Sequence, residues 1–372
     1  MRLVLTGGGT GGHVYPAIAI AQACAQEPSL QPLDVVFVGT RHGLEADIVP
    51  AAGLRAAFVC AKPLDRRISF GLIATVYANL IGFLQALVIL HRVRPDVVVA
   101  TGGYVAFPVV AALRCVRTLH MTRAKIALLE ANVTAGLTNR LLAPLADEIW
   151  YANAPARALR AREMVTGMPV RAALRIPMNV EAARRALRLG RHSTTIVAMG
   201  GSQGAQSINE AIVGLAERGM PVDWQIVLVT GSRDFERLAQ RLEGLRGIRV
   251  LAYLDDPRPA YAAADIIVTR SGASTLAELA ASRTPAILVP YPHATGDHQM
   301  HNARAYAAGG GAVVVADAEL DATRLRAELA AALAPDVLQR LRAAMQTAAT
   351  VDPTVTIVAR VKRLSSTNPS VP

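Results

Sequence analysis

A short segment late in the chain, Arg270 to Thr275, combines hydroxyl groups with glycine in the order R-S-G-A-S-T. The apolar run Asp265 to Thr269 before it predicts a buried strand, and a helical pattern begins at Leu276. A turn between a strand and a helix start offers backbone N–H groups, hydroxyls and the positive end of a helix dipole, which together suit a diphosphate. Glu278 is expected in the first helical turn, where its carboxylate could accept hydrogen bonds from the two hydroxyls of a ribose.

The same residues are also typical of an ordinary capped helix. Ser274 or Thr275 would then be the N-cap, and Glu278 would complete a capping box. The motif by itself leaves both interpretations open.

A second candidate is the glycine-rich loop Gly7 to His13, with the sequence G-G-G-T-G-G-H. An apolar strand pattern precedes it, and Pro16 is expected in the first turn of a following helix. The glycines match the G-x-G-x-x-G spacing of dinucleotide sites. The second predicted strand, however, ends in Gly39-Thr40, where a nicotinamide or flavin site has an acidic residue for the ribose. The loop therefore predicts a close approach of backbone to a bulky or anionic group, and a dehydrogenase is disfavoured.

His13 is the candidate base of this loop. The start of a helix favours a neutral imidazole, which can accept a proton. The alternative is a loop or capping histidine without a chemical role.

The composition predicts a folded protein with an anionic partner. The chain has 372 residues, of which 52% are hydrophobic and 18% charged, enough for two domains, and its formal net charge is +11. That charge favours nucleic acid, an acidic membrane surface or a phosphorylated substrate. Because aromatic residues are only 4% of the chain and no nucleic-acid motif is present, nucleic acid is not expected as a partner.

The cysteines and the amino terminus predict a cytoplasmic protein. Cys24, Cys60 and Cys115 stand in apolar surroundings without metal-ligand spacing, which predicts small core residues in a reducing compartment. Met1 leads directly into a strand pattern, so no secretion signal is expected.

An uncharged run extends from Ile68 to Leu90 and is flanked by arginines. It is long enough to span a bilayer, but Asn79 and Gln85 interrupt it and strand patterns stand on both sides, which argues against a span. Two interpretations remain: a buried helix of an α/β layer, or a helix that rests on the membrane surface.

Strands alternate with helical patterns throughout, which predicts an α/β fold with parallel, doubly wound sheets. The strand and glycine loop at the start recur at Thr194 to Met199 and Gly200 to Ala205, so two Rossmann-like domains facing across a cleft are expected. No Asp-x-Asp pair ends a strand, and no metal is expected. The other predicted strands are Asp96 to Ala100, Ile126 to Leu129, Ile149 to Tyr151 as the last strand of the first half, Gln225 to Val229, Arg249 to Leu251 and Ala286 to Val289.

Seven motifs, in order, resemble the MurG family: G-G-G-T-G-G-H, G-T-x-x-G-L-E, T-G-G-Y, G-G-S-Q-G-A, Y-L-D-D, R-S-G-A-S-T-L-A-E and H-A-T-G-D-H-Q-M-H-N-A. Members are membrane-associated N-acetylglucosaminyltransferases that convert lipid I to lipid II in peptidoglycan synthesis. The resemblance implies the glycosyltransferase B fold. It implies an acceptor and membrane-contacting domain at 1–163, a UDP-GlcNAc-binding domain at 164–351, and a C-terminal helix at about 352–366 packed back on the first domain.

The resemblance also implies where the donor binds. Glu278 would hold the ribose, Leu254 would pack against the uracil, and Asn132 and Gln299 would address the sugar. The full implied UDP-GlcNAc set is Thr10, Gly11, Gly12, Asn132, Arg171, Ser202, Leu254, Ala273, Ser274, Thr275, Leu276, Ala277, Glu278 and Gln299.

On the acceptor side, His13 matches the histidine proposed to activate the 4-hydroxyl of the acceptor sugar, giving inversion without a metal or other cofactor. Gly102, Gly103 and Tyr104 are implied to face the lipid-linked acceptor, lipid I. The implied location is the cytoplasmic side of the cell membrane, as a peripheral protein.

This chain departs from the family pattern in two regions. Leu129, Ala131 and Met168 replace polar groups near the donor, while Ala100 and Phe107 stand where small glycines are usual. Two rival functions remain open. One is transfer of a sugar to another lipid or small molecule, and the other is a non-catalytic subunit that binds a UDP-sugar.

Overall fold

The computed structural model describes residues 1–63, 70–159, 162–201, 204–347 and 352–366. They fall into two compact units. The first comprises described residues within Met1–Ala172 and Val351–Pro372, and the second those within Ala173–Thr350. Each unit contains one parallel sheet between layers of helices, which confirms the predicted α/β class.

In the described part of the first unit, seven parallel strands lie in the order β3-β2-β1-β4-β5-β6-β7. Their inner residues are almost entirely apolar and buried, as expected for a sheet covered on both faces. The strands are β1 (Arg2–Thr6), β2 (Asp34–Gly39), β3 (Arg55–Phe58), β4 (Val97–Ala100), β5 (Lys125–Glu130), β6 (Glu148–Tyr151) and β7 (Glu163–Val165).

Helices connect the strands of the first unit. One further helix of this unit, α14 (Pro353–Ser366), is formed by residues near the end of the chain. That helix buries Ile357, Val361 and Leu364 and contacts the first helix of the unit. Arg360 on it donates to the buried carboxylate of Glu148, with Nε 3.0 Å from Oε2. The helices are α1 (Gly11–Gln26), α2 (Glu45–Ala51), α3 (Phe70–Val93), α4 (Ala106–Thr118), α5 (Leu137–Leu142) and α14 (Pro353–Ser366).

The second unit repeats the arrangement with six described strands in the order β10-β9-β8-β11-β12-β13. Successive residues of β8 point to opposite faces of the sheet. Ile196 packs in the hydrophobic core on one face and Val197 in the core on the other. The strands are β8 (Thr194–Met199), β9 (Trp224–Val229), β10 (Ile248–Leu251), β11 (Ile266–Thr269), β12 (Ala286–Leu288) and β13 (Ala312–Val314). The helices are α6 (Val180–Ala186), α7 (Gln206–Glu217), α8 (Phe235–Arg241), α9 (Arg258–Ala263), α10 (Ala273–Ser282), α11 (His298–Ala307), α12 (Ala322–Leu333) and α13 (Pro335–Thr347).

Both sheets have their topological switch point beside the first strand. In the first sheet β1 lies between β2 and β4, and Thr6 pairs with Ala100 at the carboxyl ends. In the second, β8 lies between β9 and β11, and Met199 pairs with Thr269. Open α/β sheets bind ligands at this place, so the loops after β1, β4, β8 and β11 are the candidate functional loops.

Several predicted details are wrong. The first half does not end at Ile149–Tyr151, because β7 pairs beyond it. Pro16 lies in the second turn of α1, since that helix already begins at Gly11. Cys60 and Cys115 are exposed rather than core residues. Cys24 is buried as predicted, and burial, with a smaller contribution from the Glu27 charge, raises the pKa of its thiol to about 12.

Candidate functional site

The first functional loop joins β1 to α1. Thr10 is the extended N-cap of α1, with φ −146° and no side-chain cap hydrogen bond. Gly11 and Gly12 are the first two helical residues, so they stand at the positive end of the helix dipole. His13 follows in the same turn, where α1 carries it next to the loop after β4.

The imidazole of His13 is fixed by that neighbouring loop. Its Nδ1 lies 2.8 Å from the carbonyl oxygen of Thr101. A carbonyl only accepts, so Nδ1 must donate, and in the neutral ring the lone pair then belongs to Nε2. Thr101 also donates from Oγ1 to the backbone oxygen of His13, at 2.7 Å. One residue thus holds both the backbone and the ring of the candidate base, and sets its tautomer.

The glycines after Thr101 are required by this close approach. Gly102 has φ +101°, and a Cβ there would lie 2.9 Å from His13 Nδ1. Gly103 has φ +80°, and its Cβ would lie 2.3 Å from the carbonyl oxygen of Gly8. A side chain at either position would displace the histidine or the first loop. Gly102, Gly103 and His13 are therefore gathered at one place.

Tyr104 completes this group. A Cβ on Gly9 would lie 2.9 Å from the Cε1 of its ring, so the tyrosine is packed against the first glycine loop. The structure thus brings the three residues assigned to the acceptor side into one cluster with the candidate base.

Asn132 is positioned by a buried carboxylate that the sequence analysis did not single out. Glu130 ends β5 and is only 2% exposed. Its Oε1 accepts from the backbone N and Nδ2 of Asn132, at 2.9 and 3.2 Å. Its Oε2 accepts from Gly136 N at 3.0 Å and Asn139 Nδ2 at 2.8 Å. A glutamate at the end of an apolar strand, followed by asparagine, is the signal that could have revealed it.

Arg171 stands near the end of the first unit. Its guanidinium lies over the ring of Tyr15 in α1, 4.7 Å from the ring centroid, a cation–π arrangement. Tyr15 itself packs beside Gly11, where a Cβ would be 3.1 Å from its ring. The arginine is thereby placed beside the first turn of α1.

The turn after β11 in the second unit differs from the prediction. Helix α10 begins at Ala273, not at Leu276, because Gly272 is its extended N-cap and accepts from Leu276 N at 3.0 Å. No side chain caps this helix, so the capping-box interpretation is wrong. Glu278 consequently lies in the second turn rather than the first.

Within α10, the residues assigned to the donor divide into two groups. Ala273, Ser274 and Thr275 form the first turn, where backbone N–H groups are not used by the helix. Leu276 is buried, and Ala277 is half-buried. Glu278 is half-buried, and the hydroxyl of Tyr261 donates to its Oε2 at 2.8 Å.

Arg270, in the same turn, is held inside the protein. Its guanidinium donates to the carbonyl oxygens of Val289 and Pro290, at 3.1 and 3.3 Å, and to Ser207 Oγ at 3.0 Å. It also forms a salt bridge with Asp317. These contacts neutralise the positive charge of Arg270 inside the second unit.

The remaining donor candidates lie in the same unit. Gln299 accepts at Oε1 from the backbone N of Tyr291, at 3.0 Å, and its carbonyl accepts from the buried Ser271 at 2.8 Å. Leu254 packs against the core beneath β10 and β11. The Ser202 prediction lies outside the described residues.

Comparisons with known proteins identify the family of this chain. Two family models match, the glycosyltransferase family 28 N-terminal domain over residues 3–151 and the C-terminal domain over residues 195–358. A relative from Moorella thermoacetica is 42% identical over 338 residues, covering 87% of this chain and 88% of its own. One from Caldanaerobacter subterraneus is 33% identical, covering 98% of this chain and 100% of its own. Both are named UDP-N-acetylglucosamine--N-acetylmuramyl-(pentapeptide) pyrophosphoryl-undecaprenol N-acetylglucosamine transferase.

Among solved structures, Acinetobacter baumannii MurG is similar with a TM-score of 0.76 and 25% identity, over 97% of this chain and 99% of that one. The chain belongs to the MurG family. The calicheamicin glycosyltransferase CalG4, at 16% identity and a TM-score of 0.70, shares the fold. The predicted family and the glycosyltransferase B fold are thus confirmed.

The departures from the MurG pattern fall mainly in the core. Leu129, Ala131 and Met168 are all buried, at 0%, 4% and 5% exposure, so these apolar replacements join the packed interior. Phe107 is different, because it lies in the first turn of α4 with its side chain 40% exposed.

The uncharged run forms helix α3, and the interpretation of this run as a buried core helix is wrong. Only 17% of the residues in its most apolar window are buried, and by length and composition the segment Gly71–Val93 could cross a membrane. Its exposed large side chains recur at helical spacing and form one apolar face. That face consists of Ile73, Val76, Tyr77, Leu80, Leu84 and Val88.

The polar residues that interrupt this run hold α3 to the first unit. Asn79 donates from Nδ2 to the carbonyl oxygen of Lys62, at 3.0 Å, and Gln85 accepts from the backbone N of Cys60, at 2.6 Å. At Gly82 a Cβ would lie 1.8 Å from the Cys60 oxygen. One side of α3 is thus fixed to the loop after β3, and the helix also packs on α4.

Proposed function

We propose that this protein transfers GlcNAc from UDP-GlcNAc to the 4-hydroxyl of N-acetylmuramyl-(pentapeptide) pyrophosphoryl-undecaprenol, lipid I, and so forms lipid II for peptidoglycan synthesis. The observation that carries the proposal is the hydrogen bond between His13 Nδ1 and the Thr101 carbonyl. In the neutral ring this contact places the lone pair on Nε2, and the glycines and tyrosine assigned to the acceptor lie in the same cluster as His13. The names of the curated relatives state the same donor and acceptor.

In this proposal the reaction is a single displacement. Nε2 of His13 takes the proton of the acceptor hydroxyl as its oxygen forms a bond to the anomeric carbon of GlcNAc. The bond from that carbon to the β-phosphate oxygen breaks, and UDP leaves with the electron pair. One displacement inverts the anomeric centre, so an α-linked donor gives a β-1,4 bond.

The second unit is proposed to bind the donor. The backbone N–H groups at the start of α10 and the helix dipole would face the diphosphate and stabilise the charge of the leaving UDP. Glu278, oriented by Tyr261, would accept from the ribose hydroxyls. Leu254 would contact the uracil and Gln299 the sugar, to which Asn132 of the first unit is also assigned.

The first unit is proposed to meet the membrane from its cytoplasmic side. The apolar face of α3 has the composition of a helix that lies in the interface, and the net charge of +11 favours an anionic lipid surface. Because the other side of α3 is fixed to the protein by Asn79 and Gln85, a peripheral arrangement is favoured over a span.

Transfer of labelled GlcNAc from UDP-GlcNAc to a lipid I analogue tests the proposal. The expected result is a product with one added GlcNAc in a β-1,4 linkage. Transfer to diacylglycerol or another alcohol, with none to lipid I, would instead identify a related glycosyltransferase. Binding of UDP-GlcNAc with no transfer to any acceptor would identify a non-catalytic subunit.

A further inference from the structure

The first unit contains an apolar pocket of about 330 Å³ between α3, α4 and α5. Its size lies within the range of small-ligand sites. Side chains from all three helices line it, and the proposed chemistry does not use them. They include Val76, Leu80, Phe107, Thr138 and Leu141, and Tyr104 and Lys62 also line the pocket.

Residues that line the pocket also belong to the cluster around His13 and to the exposed apolar face of α3. Tyr104 belongs to the cluster around His13, because its ring packs on Gly9 and the next residue back, Gly103, adjoins the imidazole. Val76 and Leu80 belong to the exposed apolar face of α3. The pocket therefore continues from the acceptor loop to the apolar face of α3.

The positive charge of Lys62 indicates which kind of molecule the pocket can bind. Lys62 is exposed, and its backbone is held in place by Asn79 of α3, which donates to its carbonyl oxygen at 3.0 Å. An ammonium beside an apolar pocket fits a molecule that joins an anionic group to a hydrocarbon chain. The acceptor in the proposed function is such a molecule, with a diphosphate between its sugar and its polyprenyl chain.

We propose that this pocket receives the isoprene units next to the diphosphate of the acceptor, with Lys62 facing that diphosphate. This inference rests on the proposed function and adds that the enzyme recognises the start of the lipid chain as well as the sugar. The rest of the undecaprenyl chain is too large for the pocket and follows the apolar face of α3 towards the membrane.

Binding of isoprene units in the pocket can be tested with water-soluble acceptors, without a membrane. The wild-type protein is given two lipid I analogues, one ending in a two-isoprene chain on the diphosphate and one ending in a methyl group. Burial of the prenyl carbons is expected to lower KM for the prenyl analogue about 30-fold or more relative to the methyl analogue. Equal KM values for the two analogues would overturn the inference.

Filling the pocket should remove this preference. Thr138→Phe, and separately Leu141→Trp in case the first variant folds poorly, are expected to raise KM for the prenyl analogue to the value for the methyl analogue. KM for UDP-GlcNAc and turnover of the methyl analogue should stay unchanged. The matched control is Leu84→Trp, on the exposed face of α3 but not lining the pocket, which should keep the full preference.

The outcomes separate the inference from the proposed function. If both folded pocket variants keep the prenyl preference, or lose activity equally on both analogues, the pocket does not bind the lipid. If the wild-type protein transfers GlcNAc to neither analogue, the proposed function itself is wrong.

Discussion

The six described strands of the second sheet have the same order as the first six of the first sheet. The two units differ in how the helix after the first strand contacts the loop after the fourth strand. In the first unit, α1 presents His13 to the loop after β4, where Thr101 accepts a hydrogen bond from the imidazole at its carbonyl and donates one from its hydroxyl to the backbone oxygen of His13. In the second unit, α7 presents Ser207 to the equivalent loop after β11, and the contact is a network with Arg270 and Asp317. The loop after the fourth strand thus contacts the candidate base in the first unit and contains an ion-paired arginine in the second.

The difference shows how one fold can supply two roles. The imidazole contact uses one ring nitrogen and leaves the lone pair on the other, which suits proton transfer. The guanidinium of Arg270 is bound to two carbonyls, a hydroxyl and a carboxylate, which suits a fixed turn. In the second unit, the groups proposed to bind the donor are therefore the backbone at the start of α10 and Glu278, rather than the Arg270 cation.

The largest effect is expected from His13→Ala. Loss of the proposed base should lower kcat about 100- to 10,000-fold, while the dissociation constant for UDP-GlcNAc changes little, because the donor is assigned mainly to the other unit. Steady-state kinetics and calorimetry measure the two quantities. His42→Ala, which alters an exposed histidine, is the control and should retain wild-type turnover. A similar kcat for both variants would remove His13 from the chemistry.

Arg270→Met should act on stability instead. It leaves Asp317, only 20% exposed, without its ion-pair partner, and breaking such a pair costs about 3 kcal/mol. Thermal unfolding followed by calorimetry should show a lower Tm. The control, Arg233→Met, changes a side chain that is 72% exposed and should shift stability by less than about 0.5 kcal/mol. If Arg270→Met weakened donor binding without lowering Tm, the arginine would be a ligand group and the contrast between the units would fail.

Glu278→Ala should chiefly weaken UDP-GlcNAc binding. Hydrogen bonds to a charged group contribute about 1.5–3 kcal/mol, which corresponds to a dissociation constant about 10- to 100-fold higher by calorimetry. Tyr261→Phe removes only the hydroxyl that orients this carboxylate, so its effect should be several-fold smaller. Unchanged affinity in Glu278→Ala would remove the glutamate from the donor site.

The smallest effect is expected from EDTA. If the N–H groups at the start of α10 stabilise the leaving diphosphate, transfer should proceed at the same rate with and without the chelator. The adjacent Asp255 and Asp256 are poor candidates for a metal pair, because Asp256 forms a salt bridge with Arg258 at 2.7 Å. Loss of GlcNAc transfer in EDTA, restored by Mg²⁺, would show that the second unit uses a cation after all.

The sequence predicted the switch-point strands β4, β8 and β11 within one residue at each end, because apolar runs bounded by glycine have few other interpretations. It placed the start of α10 three residues late, since serine and threonine favour the N-cap position while the chain uses Gly272. The short strands β3, β7 and β13 were not predicted. All three are edge strands whose residues are mostly only half-buried, so burial imposes a weaker apolar pattern on them.

The site was predicted less completely than the fold. Residue types indicated His13 and Glu278, but the partners that orient them, Thr101 and Tyr261, come from distant parts of the chain. The exposure of α3 could not be read from its sequence, because a helix that is apolar on all sides fits a core and a membrane surface equally. Only the contacts of Asn79 and Gln85 show which side faces the protein.

The position of α14 has a consequence for how the protein is made. This helix completes the first unit, yet the ribosome synthesises it after the whole second unit. Until it emerges, the side of α1 that it covers is exposed on the nascent chain, together with the buried carboxylate that Arg360 neutralises. Helix α1, which carries His13, is therefore fully supported only once translation has passed the second unit, so a prematurely terminated chain has an incompletely packed α1.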